Sequence, residues 1–195
     1  MPDVVTVAGL VTLSTPRLLL RPWRVSDLAA CAAMNADSEV MRHFPSTLTR
    51  AASDQLVERI QAHINQYGFG LWVLEIPGEI PFAGYVGLLQ VAFDAHFTPA
   101  VEIGWRLARP AWDRGFATEA AQRILHYAFT ELHLKQVVSF TVPANNRSQA
   151  VMRRLGMHTR ARDNFEHPRL PAGDPLRVHL LYRLQRAEWL AGQVA

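Results

Sequence analysis

The stretch Arg109 to Ala120, "RPAWDRGFATEA", joins a strand-like run, "AVEIGWRLA", to a helix-like one, "ATEAAQRILHYAFTEL". A strand ending near Leu107, a loop opened by Pro110 and a helix beginning near Ala117 would bring several unpaired backbone amides to one point, at the positive end of the helix dipole. Such a point attracts a phosphate. Gly115 removes a side chain where the backbone must approach an anion or take an unusual dihedral, Ala117 keeps the following position small, and Arg114, with Arg109 nearby, adds a charged fork. A P-loop would require Gly-Lys-Ser/Thr and a dinucleotide fingerprint a set of spaced glycines, and the stretch has neither. A second constellation, "PANNRSQAVMRRLGM" (Pro143 to Met157), follows the next strand-like run and places Asn145 and Ser148 at a helix start, with Gly156 at its end. By residue type these are also helix caps, and a glycine in a strand-to-helix turn is common, so a ligand site and a plain structural turn both remain open at this point.

The elements that would hold these groups can be read from periodicity and punctuation. "RLLLRPW" (Arg17 to Trp23) predicts a first strand ended by Pro22, and "SDLAACAAMN" a helix whose first amides Ser26 is placed to accept. Thr49 caps a second helix, from about Arg50 to Gln66, with Leu56, Ile60 and Ile64 on its apolar face and a stop at Gly68. Leu71 to Ile76, Phe82 to Val91 and Ala100 to Leu107 are apolar runs joined by turns, as in an antiparallel meander. A helix from about Ala117 to Leu132 buries Ile124, Leu125, Ala128, Phe129 and Leu132, and "QVVSFTV" (Gln136 to Val142) is a further strand. The short helix "SQAVMRRLG" then precedes two last strands, "HTRARDNF" and "RVHLLYRL", separated by the loop "EHPRLPAGDPL". The order predicts a mixed sheet of about seven strands flanked by about four helices, of α/β or α+β class.

Composition bounds the function classes. With 195 residues, 49% of them hydrophobic, the chain suits one domain that folds without disulfides. Cys31 is the only cysteine, no Cys/His grouping has zinc spacing, and no metal is expected. Asp3 and the shortness of the first apolar run argue against a signal peptide or a membrane span, which predicts a soluble, cytoplasmic protein. The formal charge is +3 and the basic residues are almost all arginine, Lys135 being the only lysine. Those arginines are spread along the chain instead of forming a stripe interleaved with aromatics, which argues against a nucleic-acid partner.

From Arg17 to about Leu184 the chain resembles the GNAT superfamily of acyl-CoA N-acyltransferases, in the branch of the RimJ/RimL-type protein N-terminal acetyltransferases. The resemblance is carried by "TPRLLLRPW", "EIGWRLARPAWDRGFATEA" and "NNRSQAVMRRLGM", in that order. It implies a single N-acetyltransferase domain over residues 15–185, an N-terminal extension of residues 1–14 and a tail of residues 186–195, with pairing of two copies through these ends left open. It implies that acetyl-CoA is the cosubstrate and that its pyrophosphate sits in the loop written (Q/R)xxGx(G/A). Here Trp112 takes the first position and Gly115 and Ala117 the small ones, with Arg114, Phe116 and Thr118 as the loop's other contacts. Asp113 stands where glycine is frequent, so its carboxylate must turn away from the phosphates or weaken their binding. Backbone groups of Trp105, Arg106 and Leu107 would pair with the pantetheine amides, and Asn145 would reach the same arm.

The reaction implied is direct transfer of acetyl to an amine, on a protein N-terminus or a small molecule. The resemblance implies Glu102, a carboxylate in an otherwise apolar strand, as general base acting directly or through water. Family members often carry a tyrosine acid where this chain has Met152, so Ser148 is the candidate acid, ahead of Tyr182. Glu119 is better explained by the helix dipole. Trp23, His43, Phe44 and His167 would flank the acceptor pocket. Two other readings share the same features: a coenzyme A-binding regulatory module with reduced catalysis, and a basic ribosome- or nucleic-acid-associated protein.

Overall fold

The computed structural model describes residues 10–193. They form nine strands and five α-helices, grouped in two compact units. One unit takes the chain up to Leu89 together with Gly104–Arg123; the other takes Gln90–Ile103 and everything from Ile124 onward.

In the first unit, β1 (Leu13–Ser14), β2 (Leu19–Arg21), β3 (Leu71–Ile76) and β4 (Ile80–Gln90, as far as Leu89) run antiparallel, with Leu13 opposite Leu20, Leu20 opposite Leu74 and Val73 opposite Tyr85. The "LWVLEI" run of β3 is apolar on both faces, and Trp72, Val73 and Leu74 are fully buried. The α-helices here are α1 (Asp27–Ala36) and α2 (Arg50–Tyr67). Thr49 accepts the Ala52 amide at 3.2 Å and Gly68 closes α2 in the left-handed region (φ 74), as residue type predicted. The buried face of α2 is Ser53, Val57, Ile60 and Ile64, with Leu56 only half-buried. Ser53 earns its place through a hydrogen bond from Asn35 of α1.

The start of α1 corrects the expectation for Ser26. Its side chain caps nothing and its backbone is already helical (φ −60, ψ −18). The neighbouring Asp27 does the work, accepting the Arg24 amide at 2.7 Å and both Nη atoms of Arg21 at 2.8 Å. Arg21 also donates to Glu75 at 2.6 Å and to the Pro81 carbonyl, so a buried guanidinium ties β2, α1, β3 and β4 together.

In the second unit, the first residues of β5 (Val101–Leu107) pair in parallel with β6 (Gln136–Thr141), Glu102 opposite Val138. β6 runs antiparallel to β9 (Val178–Gln185), which also pairs with β7 (His158–Thr159) and β8 (Phe165–Glu166). One parallel and several antiparallel pairings make the mixed sheet that the element order predicted. "HTRARDNF" is not one strand: a 3-10 turn at Ala161–Asp163 splits it into β7 and β8. α3 (Phe116–Thr130) buries Ile124, Leu125, Ala128 and Phe129, while α4 (Asn146–Arg154) and α5 (Arg186–Ala191) complete the helices. Residues 186–191 of the expected tail thus form a helix, and Trp189 packs on Phe129. Of the expected N-terminal extension, residues 1–9 lie outside the described residues, whereas Leu13 and Ser14 are strand. Among the described residues no helix is long and apolar enough to cross a membrane, and no acidic, His or Cys cluster could hold a metal.

Candidate active site

The loop between β5 and α3 lies in the first unit and is built by backbone conformation. After β5, a single 3-10 turn (Arg109–Ala111, with Pro110 inside it) leads to extended Trp112, whose indole N–H donates back to the Leu107 carbonyl at 2.8 Å. Asp113 (φ 58) and Gly115 (φ 80) are both left-handed, one on each side of Arg114. That accounts for Asp113: a position where φ is positive favours glycine, and aspartate is among the few other residues that tolerate it. The helix's first bond runs from the Glu119 amide to the Gly115 carbonyl at 3.1 Å, leaving the amides of Phe116, Ala117 and Thr118 without a partner inside the helix.

Charge surrounds these amides in a fixed pattern. Arg17 contacts Glu119 Oε2 at 2.5 Å and donates through Nη1 to the Arg114 carbonyl at 3.1 Å, so it clasps the loop. Arg114 forms a two-pronged pair with Glu79, at 2.5 and 2.8 Å, whose first effect is to hold the Glu79 carboxyl below its usual value. Both guanidinium carbons lie over the Phe116 ring, at 4.7 Å for Arg17 and 4.6 Å for Arg114. Phe116 itself is buried, so only its amide is available to a ligand. Burial works to raise the Glu119 carboxyl, but the Thr15 hydroxyl and Arg17 outweigh it and keep the group ionised. Arg109, which residue type placed beside the loop, is engaged with Asp37 at 2.6 Å. Exposed Arg114 and Gly115, the first amides of α3 and the Arg17 guanidinium together suit a diphosphate, provided the Asp113 carboxylate turns away from it. If coenzyme A sits here, as the resemblance implies, Gly115→Val is expected to weaken its binding about tenfold or more by calorimetry. A β-branched residue at φ 80 costs on the order of 1–3 kcal/mol of strain, and a Cβ there would already stand 3.4 Å from Arg17 Nη2.

β5 approaches β4 closely at this end. A Cβ on Gly84 (φ 132) would stand 2.1 Å from the Arg106 carbonyl and 2.7 Å from the Leu107 Cα, so only glycine fits there. The Arg106 carbonyl is thus packed against β4, and the Leu107 carbonyl accepts from Trp112. The Arg106 side chain leaves the strand on its own course, donating to Asn35 Oδ1 at 2.7 Å.

In the second unit, Glu102 sits in β5 opposite Val138. Half-buried at its surface and densely surrounded, its carboxyl is pushed up to about 8 by burial alone. The ion pair with an arginine that would make it purely structural is absent among the described residues. Asn145 caps α4, accepting the Ser148 amide at 3.1 Å and donating to Thr141 Oγ1 at 3.0 Å. Ser148 is half-buried in the first turn of α4. Met152 is buried in the core and offers no proton, and the Tyr182 hydroxyl is buried and spent on Gln149 Oε1 at 3.3 Å.

The residues expected beside an acceptor are placed differently from one another. Trp23 is a core residue, 1% exposed, with its indole N–H donating to the Leu71 carbonyl at 2.8 Å and its ring against Phe82 and Tyr85, so packing explains it without a substrate. Phe44 is exposed and lies over the Arg106 guanidinium, and the adjacent His43 is half-buried, its pKa lowered by burial and by Arg42. His167 belongs to an aromatic group of the second unit with Phe93, Phe140, Phe165 and His179, and burial first, then His179, lowers its pKa. Arg17, Glu79, Gly84 and the Arg106–Asn35 contact were not singled out from the sequence; the "TPRLLLRPW" stretch contained Arg17, but its partner lies far along the chain.

With this geometry in place, comparison with known proteins decides the family. The acetyltransferase (GNAT) domain model matches residues 17–158. The chain belongs to the GNAT acetyltransferase family. Among its relatives is the uncharacterized N-acetyltransferase YnaD of Bacillus subtilis, 28% identical over 181 residues that cover 91% of this chain and 98% of the relative. Another is the FsC-acetyl coenzyme A-N(2)-transacetylase of Aspergillus fumigatus, 30% identical over 199 residues, covering 96% of this chain and 82% of that one. An acetyltransferase of the GNAT family from Bacillus anthracis has the same fold, with a TM-score of 0.75 at 24% identity, covering 91% of this chain and all of that one. This GNAT acetyltransferase is therefore an enzyme of the N-acetyltransferase class, with the mixed sheet of that fold.

Proposed function

We propose that this acetyltransferase takes its acetyl group from acetyl-CoA and moves it directly to a primary amine, as a member of the RimJ/RimL-type branch. The observation that carries the reading is Glu102, a carboxyl on β5 whose pKa burial pushes up to about 8, with no ion-pair partner among the described residues. The loop from Trp112 to Thr118 supports the choice of cosubstrate, because the first amides of α3 and the flanking Arg17 and Arg114 fit a diphosphate. Bound there, acetyl-CoA supplies an activated acetyl thioester.

The residues of this chain then have separate tasks. Gly115 and the first amides of α3 hold the diphosphate, and Trp105 and Asn145 orient the arm that follows it. Glu102, as the carboxylate, removes the proton that the amine loses when its nitrogen bonds to the acetyl carbon. Ser148 returns a proton to the sulfur as the carbon–sulfur bond breaks; a thiol with a pKa of about 8.5 is a tolerable leaving group, so a weak acid suffices. Holding both reactants in one orientation contributes by removing the entropy cost of encounter. The single buried Cys31 supports a reducing, cytoplasmic setting.

The test is release of free coenzyme A thiol when acetyl-CoA meets a panel of primary amines and peptides, with the acetylated product identified by mass. Absence of coenzyme A binding by calorimetry would sink the reading. Binding without turnover of any amine would favour the regulatory alternative, which the buried, proton-free Met152 motivates.

A further inference from the structure

Among the described residues Arg106 has no ion-pair partner. In the same unit Arg17 pairs with Glu119, Arg21 with Asp27 and Glu75, Arg109 with Asp37, and Arg114 with Glu79. Arg106 meets a neutral amide instead: Nη1 donates to Asn35 Oδ1 at 2.7 Å, while Nε is buried with no acceptor among the described residues. Two rings face the guanidinium, with its carbon 4.0 Å from the centroid of Phe44 and 5.5 Å from that of Tyr85. Asn35 is itself fixed, because its Nδ2 donates to Ser53 Oγ at 2.9 Å and to Cys31 Sγ at 3.4 Å, and all three residues are fully buried.

A half-buried guanidinium that has lost water without gaining an opposite charge is poised to take one. Phe44, stacked on it, is 38% exposed, so a surface side chain is what stands over the cation. Asn35 and its partners hold the fork in place before any ligand arrives, and a planar fork matches a carboxylate. We propose that Arg106 binds a carboxylate of the acceptor, so that the preferred substrates are amines that also carry a carboxylate, of the amino-acid type. Polyamines, which would bring like charge to this point, are disfavoured. The proposal rests on the amine-acetyltransferase reading and on the resemblance that puts Phe44 at the acceptor.

The experiment uses the full chain without acetyl-CoA and product-type probes, a panel of N-acetyl amino acids and the corresponding amides, by isothermal titration. At least one N-acetyl amino acid is expected to bind about tenfold or more tightly than its amide, and Arg106→Met to abolish that difference. Arg106→Lys, which keeps the charge and loses the fork, is expected to fall between. Equal binding of acid and amide throughout the panel, or no binding of any N-acetyl amino acid, overturns the proposal, and this arm needs no variant to fold. A turnover arm compares free amino acids, their amides and spermidine with acetyl-CoA; a preference for the amide or for spermidine also overturns it. If coenzyme A binds but no amine is acetylated, the acetyltransferase reading fails, while the titrations still decide the role of Arg106.

Discussion

Glu102→Gln is expected to lower kcat/KM by about 10²–10⁴-fold, the usual contribution of a positioned general base. The wild-type rate is expected to rise with pH through about 8, because the carboxylate is the active form and burial pushes its pKa up to about that value. The same burial makes a second, independent signature. The folded state holds the Glu102 proton up to about pH 8, whereas the unfolded chain releases it near 4.5. Stability from this group is therefore fully present below the unfolded value and is lost as pH rises through the folded one. Glutamine keeps the shape without the charge, so the variant should gain stability over wild type as pH rises, in urea unfolding at about pH 6, 7.5 and 9. Unchanged turnover removes Glu102 from the mechanism, and a stability difference that ignores pH removes the perturbed carboxyl.

Asp27→Ala should be the most damaging single change to stability outside the apolar core. Asp27 and Arg21 are 3% and 2% exposed, and deleting the carboxylate leaves a buried guanidinium with only Glu75 and carbonyls to face. Breaking a buried pair from one side costs about 3–5 kcal/mol, and the Arg24 amide loses its cap as well. Against a total stability of about 5–15 kcal/mol that is a large fraction, readable as a shift in the urea midpoint at constant slope. Asp54→Ala serves as the control, since its pairing with Arg50 is exposed and lies along one helix, where such pairs contribute about 0.3–0.5 kcal/mol. A loss for Asp27→Ala no larger than that of the control would show that the buried network is not what joins β2 to α1.

Local chemistry determined much of this protein from sequence alone. Thr49 and Gly68 bound α2 because a cap needs only a hydroxyl and a residue free of Cβ strain, and the apolar run "LWVLEI" reads as a strand. The loop from Trp112 to Ala117, open by residue type to an anion site or a plain turn, together with "NNRSQAVMRRLGM" pointed to the GNAT family, because spacing along one loop and one helix start is a local property. Ser26 shows where such reasoning stops: its residue type suits a cap, but Asp27 can also reach Arg21, and that contact decides the helix start.

What only the tertiary structure decided are the quantities that depend on distant partners. Glu102 is a carboxylate by sequence, and its pKa near 8 follows from desolvation by whatever packs around it. Arg106 and Arg114 look alike in the sequence, yet one faces Glu79 and the other a neutral Asn35 held by Ser53 and Cys31. Asp113 reads as an intruder in a glycine position until its φ of 58 shows why glycine is favoured there and why aspartate is tolerated. Residue types and short spacings are written along the chain, whereas burial, charge pairing and dihedral angle are set by which segments the fold brings together.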